Sequence, residues 1–192
     1  MFKDLRHLFQ VMNESGLNYV VMRNFESLPD NAVVDDHLDI DILTDDYKSM
    51  KELVNGESAS SPMVENGGYR ILNYIKVGNK KIMMDIRYVG DNYYCEDLEK
   101  DMLSSREFDE ARGIWTPDKE YHLYGLIYHG LVHKHRVSLT YRKIFKEHKI
   151  EYNNLKTSLD SWMDEKGYEY VRPNDKSVGF NNVEEWKRPR NE

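Results

Sequence analysis

Cysteine is nearly absent from this chain: Cys95 is the only one in 192 residues. That excludes an intramolecular disulfide framework and any zinc site built on several thiolates, and it sets the expectation of a reduced, cytoplasmic protein. Long apolar runs are missing as well. No stretch approaches the ~18 residues of a membrane span. The opening MFKDLRHLFQ carries charges where a signal peptide needs an apolar core. The tripeptide Asn13-Glu14-Ser15 therefore reads as an accidental glycosylation sequon. Positive charge is in deficit, with 27 Lys and Arg against 34 Asp and Glu, for a net charge of −7. A protein of that balance is not built to coat nucleic acid. It can still hold one nucleotide in one basic pocket.

What is present is enough for one ordinary domain, or a core with a small appendage. Phe2, Leu5, Leu8, Phe9 and Met12 recur at helical spacing until Gly16 stops the pattern. Leu17 to Met22 reads as a buried strand that delivers Arg23 to its end. A polar loop marked by Pro29-Asp30-Asn31 leads to a strand over 38–44. Asp45-Asp46 caps a helix to about Val54, and residues 55–68 are a Gly- and Ser-rich loop. Tyr69–Val77 and Lys80–Tyr88 are strand-like runs around Gly78-Asn79, a tight hairpin turn. The rest is mostly helical: Asp97–Arg106, about 118–135 after the turn at Ile114 to Pro117, 138–150 and 153–166. From Val171 the chain is polar, a tail or a linker toward a further domain or partner protein.

The richest stretch is His37-Leu38-Asp39-Ile40-Asp41-Ile42-Leu43. Alternation along a strand puts Asp39 and Asp41 on one face and Ile40 and Ile42 on the other. At about 3.3 Å of rise per residue, the two aspartates sit roughly 6.5–7 Å apart along the backbone. Two such carboxylates converge on a divalent cation, or they form the solvated face of an edge strand. In the hairpin, Ile82, Met84, Ile86 and Tyr88 share one face, and Lys81, Met83, Asp85 and Arg87 the other. A lone aspartate inside such a run needs a partner, an exposed edge or a metal, which makes Asp85 the natural third carboxylate. Three acids on neighbouring strands can hold two ions that activate a hydroxyl and steady a leaving pyrophosphate.

With these residues in this order, the sequence resembles the nucleotidyltransferases of the DNA polymerase β type. More narrowly, Tyr19-Val20-Val21-Met22-Arg23-Asn24-Phe25-Glu26, Asp85 to Asp91, and Tyr124 to Lys134 look like uncharacterised bacterial and viral members associated with surface-polysaccharide genes. The resemblance covers roughly residues 2–135, with the tail from Gly167-Tyr168 to Asn181. It implies an α/β (α+β) fold with a small mixed sheet of the nucleotidyltransferase type, flanking helices and a helical C-terminal part. The expected division is a core over 1–95, a helical part over 96–170 and a polar tail over 171–192. It also implies Mg²⁺ or Mn²⁺ on Asp39, Asp41 and Asp85 as catalytic and metal residues. An NTP would donate its nucleotidyl group to a hydroxyl or phosphate of a small-molecule or sugar acceptor. The wider family follows its first strand with a Gly-Ser pair that holds the triphosphate. Here Arg23-Asn24 stands in that place.

Arg23 offers forked donors to a phosphate, or a salt bridge to a loop acid such as Glu26. Arg87 binds phosphate or pairs with Asp85. Together with Asn24, His133 and Lys134 they make the candidate nucleotide-binding set. His122, His129 and His133 have zinc-like spacing, but Gly130-Leu131-Val132 lacks the glutamate of a zinc protease, and they read as a polar helix face. Lys134, Arg136, Arg142, Lys143, Lys146 and Lys149 form a basic stretch, either solvated or facing phosphates. Asp35 and Asp36 read as loop solvation, and Cys95 receives no role. Two other functions stay open: an inactive binding module of the same fold, which the missing Gly-Ser pair favours, and a glycosyl- or phosphotransferase with the same Asp-x-Asp site.

Overall fold

The computed structural model describes residues 2–34, 37–58, 73–134, 137–175 and 178–181. Asp35, Asp36, Arg136, residues 69–72 of the expected hairpin and most of the expected Gly- and Ser-rich loop lie outside the described residues. Helix α1 (Leu5–Glu14) starts where the Asp4 carboxylate accepts the His7 amide, and it buries Leu8, Phe9 and Met12 on one face. It leads through Gly16, with φ 75°, into β1 (Tyr19–Arg23). The short β2 (Val33–Val34) and the long β3 (His37–Thr44) follow. Asp46 caps α2 (Tyr47–Leu53) by accepting the Ser49 amide. Next come β4 (Glu57–Ser58), β5 (Asn73–Val77) and β6 (Lys80–Tyr88). The expected hairpin turn is present, with Val77 opposite Lys80 and Gly78 at φ 56°.

The sheet runs β1-β3-β6-β5-β4, with β2 also on β3. It is mixed: β3 and β6 are parallel, and the other pairings are antiparallel. The fold is thus α/β with a small mixed sheet and a helical C-terminal part. That part comprises α3 (Glu96–Ser104), the hairpin β7 (Glu107–Asp109) and β8 (Ile114–Thr116), α4 (Lys119–Tyr128), α5 (Leu139–Glu147) and α6 (Leu155–Lys166). The β7–β8 hairpin was not expected from the sequence, where Ile114 to Pro117 reads only as a turn. The helix expected over 118–135 is α4 for its first ten residues, and His129–His133 then forms a π-helical turn.

Strand alternation sorts the core into two layers. Tyr19, Val21, Ile40, Ile42, Met84 and Ile86 pack with Leu8, Phe9 and Met12 of α1. Val20, Met22 and Leu43 pack with Tyr93, Tyr94, Leu126, Tyr128 and Phe145 from the helical part. The aspartates share their face with Leu43, so they point toward the helices. One irregularity breaks the alternation. Between Val21 and Arg23 the β1–β3 register shifts, so that Arg23 and not Met22 stands opposite Asp41. A bulge of this kind inserts one residue and reverses the side to which the following side chains point. Arg23 consequently lies on the carboxylate face.

Because Ile42 is fully buried on the opposite face of the strand that carries both aspartates, Ile42→Ala is expected to cost about 2–5 kcal/mol. Chemical denaturation of the variant against wild type measures this.

Candidate functional site

Parallel pairing of β3 with β6 sets Asp41 opposite Asp85, and Asp39 opposite Met83. The three carboxylates therefore occupy one face of two adjacent strands. Asp41 is buried at 4 % exposure, and the Asp85 side chain at 15 %. Burial, reinforced by the Asp41 charge, raises the Asp39 carboxyl to about 7 despite Arg23. Burial also raises Asp85 to about 6, with Arg87 opposing and Asp41 adding to the rise. Like charges this close are relieved by a bound proton or by a cation.

Two guanidiniums supply part of that relief. Arg23 donates to Asp41 Oδ1 at 2.5 Å, both side chains being 6 % exposed. Of the two options open for Arg23, the ion pair forms, but its partner is Asp41 and not Glu26. Arg87 donates to Asp85 Oδ2 at 2.8 Å, which is the pairing expected of it as an alternative to phosphate. Both guanidiniums lie over the Tyr93 ring, at 5.4 Å and 4.6 Å from its centroid. Each keeps donors in reserve: Arg23 NH1, Arg87 NH1 and Arg87 Nε are buried without a hydrogen-bond partner among the described residues.

The other candidates fall into place around this pair. Asn24 takes a left-handed backbone conformation, φ 58°, and its side chain hydrogen-bonds Tyr141. The His133 ring lies 4.1 Å from Tyr93 and 5.7 Å from His129, and Tyr93 Oη meets His129 Nδ1 at 2.7 Å. Burial and the nearby Arg23 push both imidazoles well below the usual histidine range, so both are neutral. Both ring nitrogens of His133 are buried without a partner among the described residues. Four residues apart, the two histidines share one helical face and meet the same aromatic ring, Tyr93. His122 does not join them; its ring packs on Phe25 at 4.7 Å. Lys134 is exposed, as are Arg142, Lys143, Lys146 and Lys149.

Tyr93, His129, Asp91, Glu99 and Asp175 belong to this environment and were not picked out as site residues from the sequence. Asp91 ends a segment that carries the resemblance and Glu99 follows it in α3, and the burial of both acids is not visible in the sequence. Asp91 Oδ1 accepts the Tyr93 amide at 2.7 Å, and Glu99 accepts those of Gly90 and Tyr94 at 2.7 Å and 3.0 Å. Asp175 Oδ2 stands 3.2 Å from Arg87 NH2, and nothing local in a polar tail announces such a contact.

As the side chains stand, no three potential ligands close around one point among the described residues; Asp41 and Asp85 are paired with Arg23 and Arg87. The donors nevertheless fit a hard divalent cation in kind. Asp39 Oδ1 and Asp85 Oδ1 are buried carboxylate oxygens without a hydrogen-bond partner among the described residues, the type of ligand that Mg²⁺ and Mn²⁺ select.

No protein-family model matches the chain, and no curated protein matches it. Among solved structures it is similar to the solution structure of the antibiotic-resistance factor ANT(2'')-Ia. The identity is 11% and the TM-score 0.45, over 85% of this chain and 91% of that one. No helix among the described residues is long and apolar enough to cross a membrane.

The carboxyl of Glu99 gives the site's surroundings a pH dependence of definite sign. Burial, with the neighbouring Asp91 charge, raises it from 4.5 to about 8. A group raised on folding takes up a proton as the chain folds, so its contribution is complete below about 4.5 and lost as pH rises through about 8. Glu99→Gln keeps an acceptor oxygen and cannot ionise. Thermal unfolding of this variant is expected to decline less steeply than wild type between pH 5 and 8, with its largest relative gain at the alkaline end.

Proposed function

We propose that the chain transfers a nucleotidyl group from an NTP to a hydroxyl or phosphate of a small-molecule or sugar acceptor. The observation that carries this reading is the parallel register that brings Asp39, Asp41 and Asp85 to one buried face with carboxylate oxygens left over. Asp39, Asp41 and Asp85 would hold Mg²⁺ or Mn²⁺, which when bound polarises phosphate oxygens and steadies the leaving pyrophosphate. Arg23 NH1 and the spare donors of Arg87 would bind phosphate oxygens, a task for which a guanidinium is well shaped. They stand in for the Gly-Ser pair that this chain lacks. Asp85 has one oxygen held by Arg87 and the other without a partner. With Oδ1 turned to the cation, the Asp85 carboxylate would accept the proton of the attacking hydroxyl on its other oxygen as the new oxygen–phosphorus bond forms and the bond to pyrophosphate breaks. His133 and Lys134 complete the proposed nucleotide-binding set with Asn24, His133 from within the buried layer and Lys134 from its exposed rim. The excess of acid over base in the whole chain makes a small acceptor a better fit than a nucleic acid.

One observation favours a second reading, a binding module of the same fold that performs no transfer. Two of the three carboxylates already have arginine partners, so phosphates could be held by the arginines with no divalent ion. Calorimetric titration with each NTP, with and without Mg²⁺, separates the two. Asp39→Asn is the diagnostic variant because Asp39 has no arginine partner as close as that of Asp41. Removing the Asp41 charge would leave Arg23 buried and unpaired at about 3–5 kcal/mol. Mg²⁺-dependent NTP binding that Asp39→Asn abolishes, with no loss of thermal stability, is the expected result. Equal binding without Mg²⁺ establishes the binding module instead. Binding of nucleotide sugars but not of NTPs moves the reading to a glycosyltransferase.

A further inference from the structure

Three buried carboxylates gather around Arg87. Its NH2 donates to Asp85 Oδ2 at 2.8 Å and to Asp175 Oδ2 at 3.2 Å, and its NH1 lies 3.8 Å from Asp91 Oδ2. Asp91 and Asp175 are each 1 % exposed. One guanidinium thus serves three buried carboxylates, and none of them holds it alone.

Asp175 comes from far along the chain, and its neighbours hold it in place from two sides. On the β6 side, the Asn174 amide donates to the Asp91 carbonyl at 3.1 Å, and Asn92 Nδ2 donates to Asn174 Oδ1 at 3.2 Å. On the helical side, the Asn181 amide donates to the Val132 carbonyl at 2.9 Å. Asn181 Nδ2 donates to the carbonyls of Leu131 and Lys134, at the end of the π-helical turn that carries His133. Gly179 lies so close to the His133 carbonyl that any Cβ would collide with it. Asn174 and Asp175 thus sit on the β6 and Arg87 side, and Gly179 and Asn181 against the histidine turn, the two flanks of the candidate site.

We infer that Asp175 is a positioning residue for the carboxylate site: by sharing Arg87 with Asp85, it keeps Asp85 from being fully claimed by the guanidinium and leaves Asp85 Oδ1 open to a divalent cation. The inference rests on the reading of Asp39, Asp41 and Asp85 as cation ligands. Groups that orient and tune a ligand from behind, without touching the ion, typically change metal affinity by 10–100-fold when altered. With Asp175 neutral, the full charge of Arg87 would fall on Asp85 and Asp91, and the guanidinium would compete with the cation for Asp85.

The test is Mn²⁺ binding to the full chain without nucleotide, followed by the electron paramagnetic resonance signal of the free ion, alongside thermal unfolding. Asp175→Asn keeps an acceptor oxygen for Arg87 and removes the charge. It is expected to weaken Mn²⁺ binding about tenfold, and Asp175→Glu, which restores the charge, to recover part of the loss. Unchanged Mn²⁺ affinity with a lower melting temperature would show a merely structural role and overturn the inference while leaving the cation site standing. Tighter Mn²⁺ binding in Asp175→Asn would overturn it in the opposite sense. Absence of Mn²⁺ binding in the wild type removes the cation site itself, and the inference with it. Should Asp175→Asn fail to fold, wild type alone decides. Coupling between ion and segment is reciprocal, so saturating Mn²⁺ is expected to slow hydrogen exchange severalfold at the amides of Val178 and Asn181. Unchanged exchange there overturns the inference.

Discussion

The opposition of Asp41 and Asp85 across a parallel strand pair is the constraint to which the rest of this structure responds. Two carboxylates on neighbouring strands, with a third one residue-pair away, are unfavourable in a buried layer unless positive charge comes to meet them. The chain supplies it from the ends of two strands, Arg23 on β1 and Arg87 on β6. It then covers both guanidiniums with one aromatic ring, Tyr93. The neutral histidines of the π-helical turn pack behind that ring. The helical part is therefore a lid on a polar layer as much as a hydrophobic partner for the sheet.

The ion pairs set the energetics of this layer. A buried pair gains little over an apolar replacement, because each ion is stripped of water, yet removing one member leaves a charge stranded at about 3–5 kcal/mol. Such a layer is poorly explained as a device for stability. It is better explained by what its unused groups can do: guanidinium N–H bonds without acceptors, and carboxylate oxygens without donors, side by side under partial cover. On the proposed function, that pattern would serve a phosphate-bearing ligand bridged by a divalent cation.

Much of this was legible in the residue pattern. Alternation alone placed Asp39, Asp41, Asp85 and Arg87 on common faces, and the Gly78-Asn79 turn fixed the register of the hairpin that carries Asp85. Legibility failed where one element depends on another far away. Arg23 was weighed against Glu26 because that acid is near in sequence, whereas its partner Asp41 is near only across strands. The π-helical turn is invisible to a helical-periodicity argument, since residues 129–133 continue the apolar pattern of α4. The β7–β8 hairpin is three residues on each side, too short for alternation to register. Asp175 lies 88 residues from Arg87, in a stretch whose polarity reads as solvent-exposed tail.

The bulge after Val21 carries a consequence for how such a site can change over time. A regular continuation of β1 would turn residue 23 toward the layer of Tyr19, Val21, Ile40 and Ile42, where only an apolar or small side chain is at ease. The extra residue turns it to the opposite side, where a cation is needed. Side-chain parity and side-chain identity at this position are thus locked together. Exchanging Arg23 for a small residue while the bulge stays would leave Asp41 without its cation, and losing the bulge while Arg23 stays would drive a guanidinium into the apolar layer. The bulge and the arginine can therefore be exchanged together but not one at a time, whatever reaction the site serves.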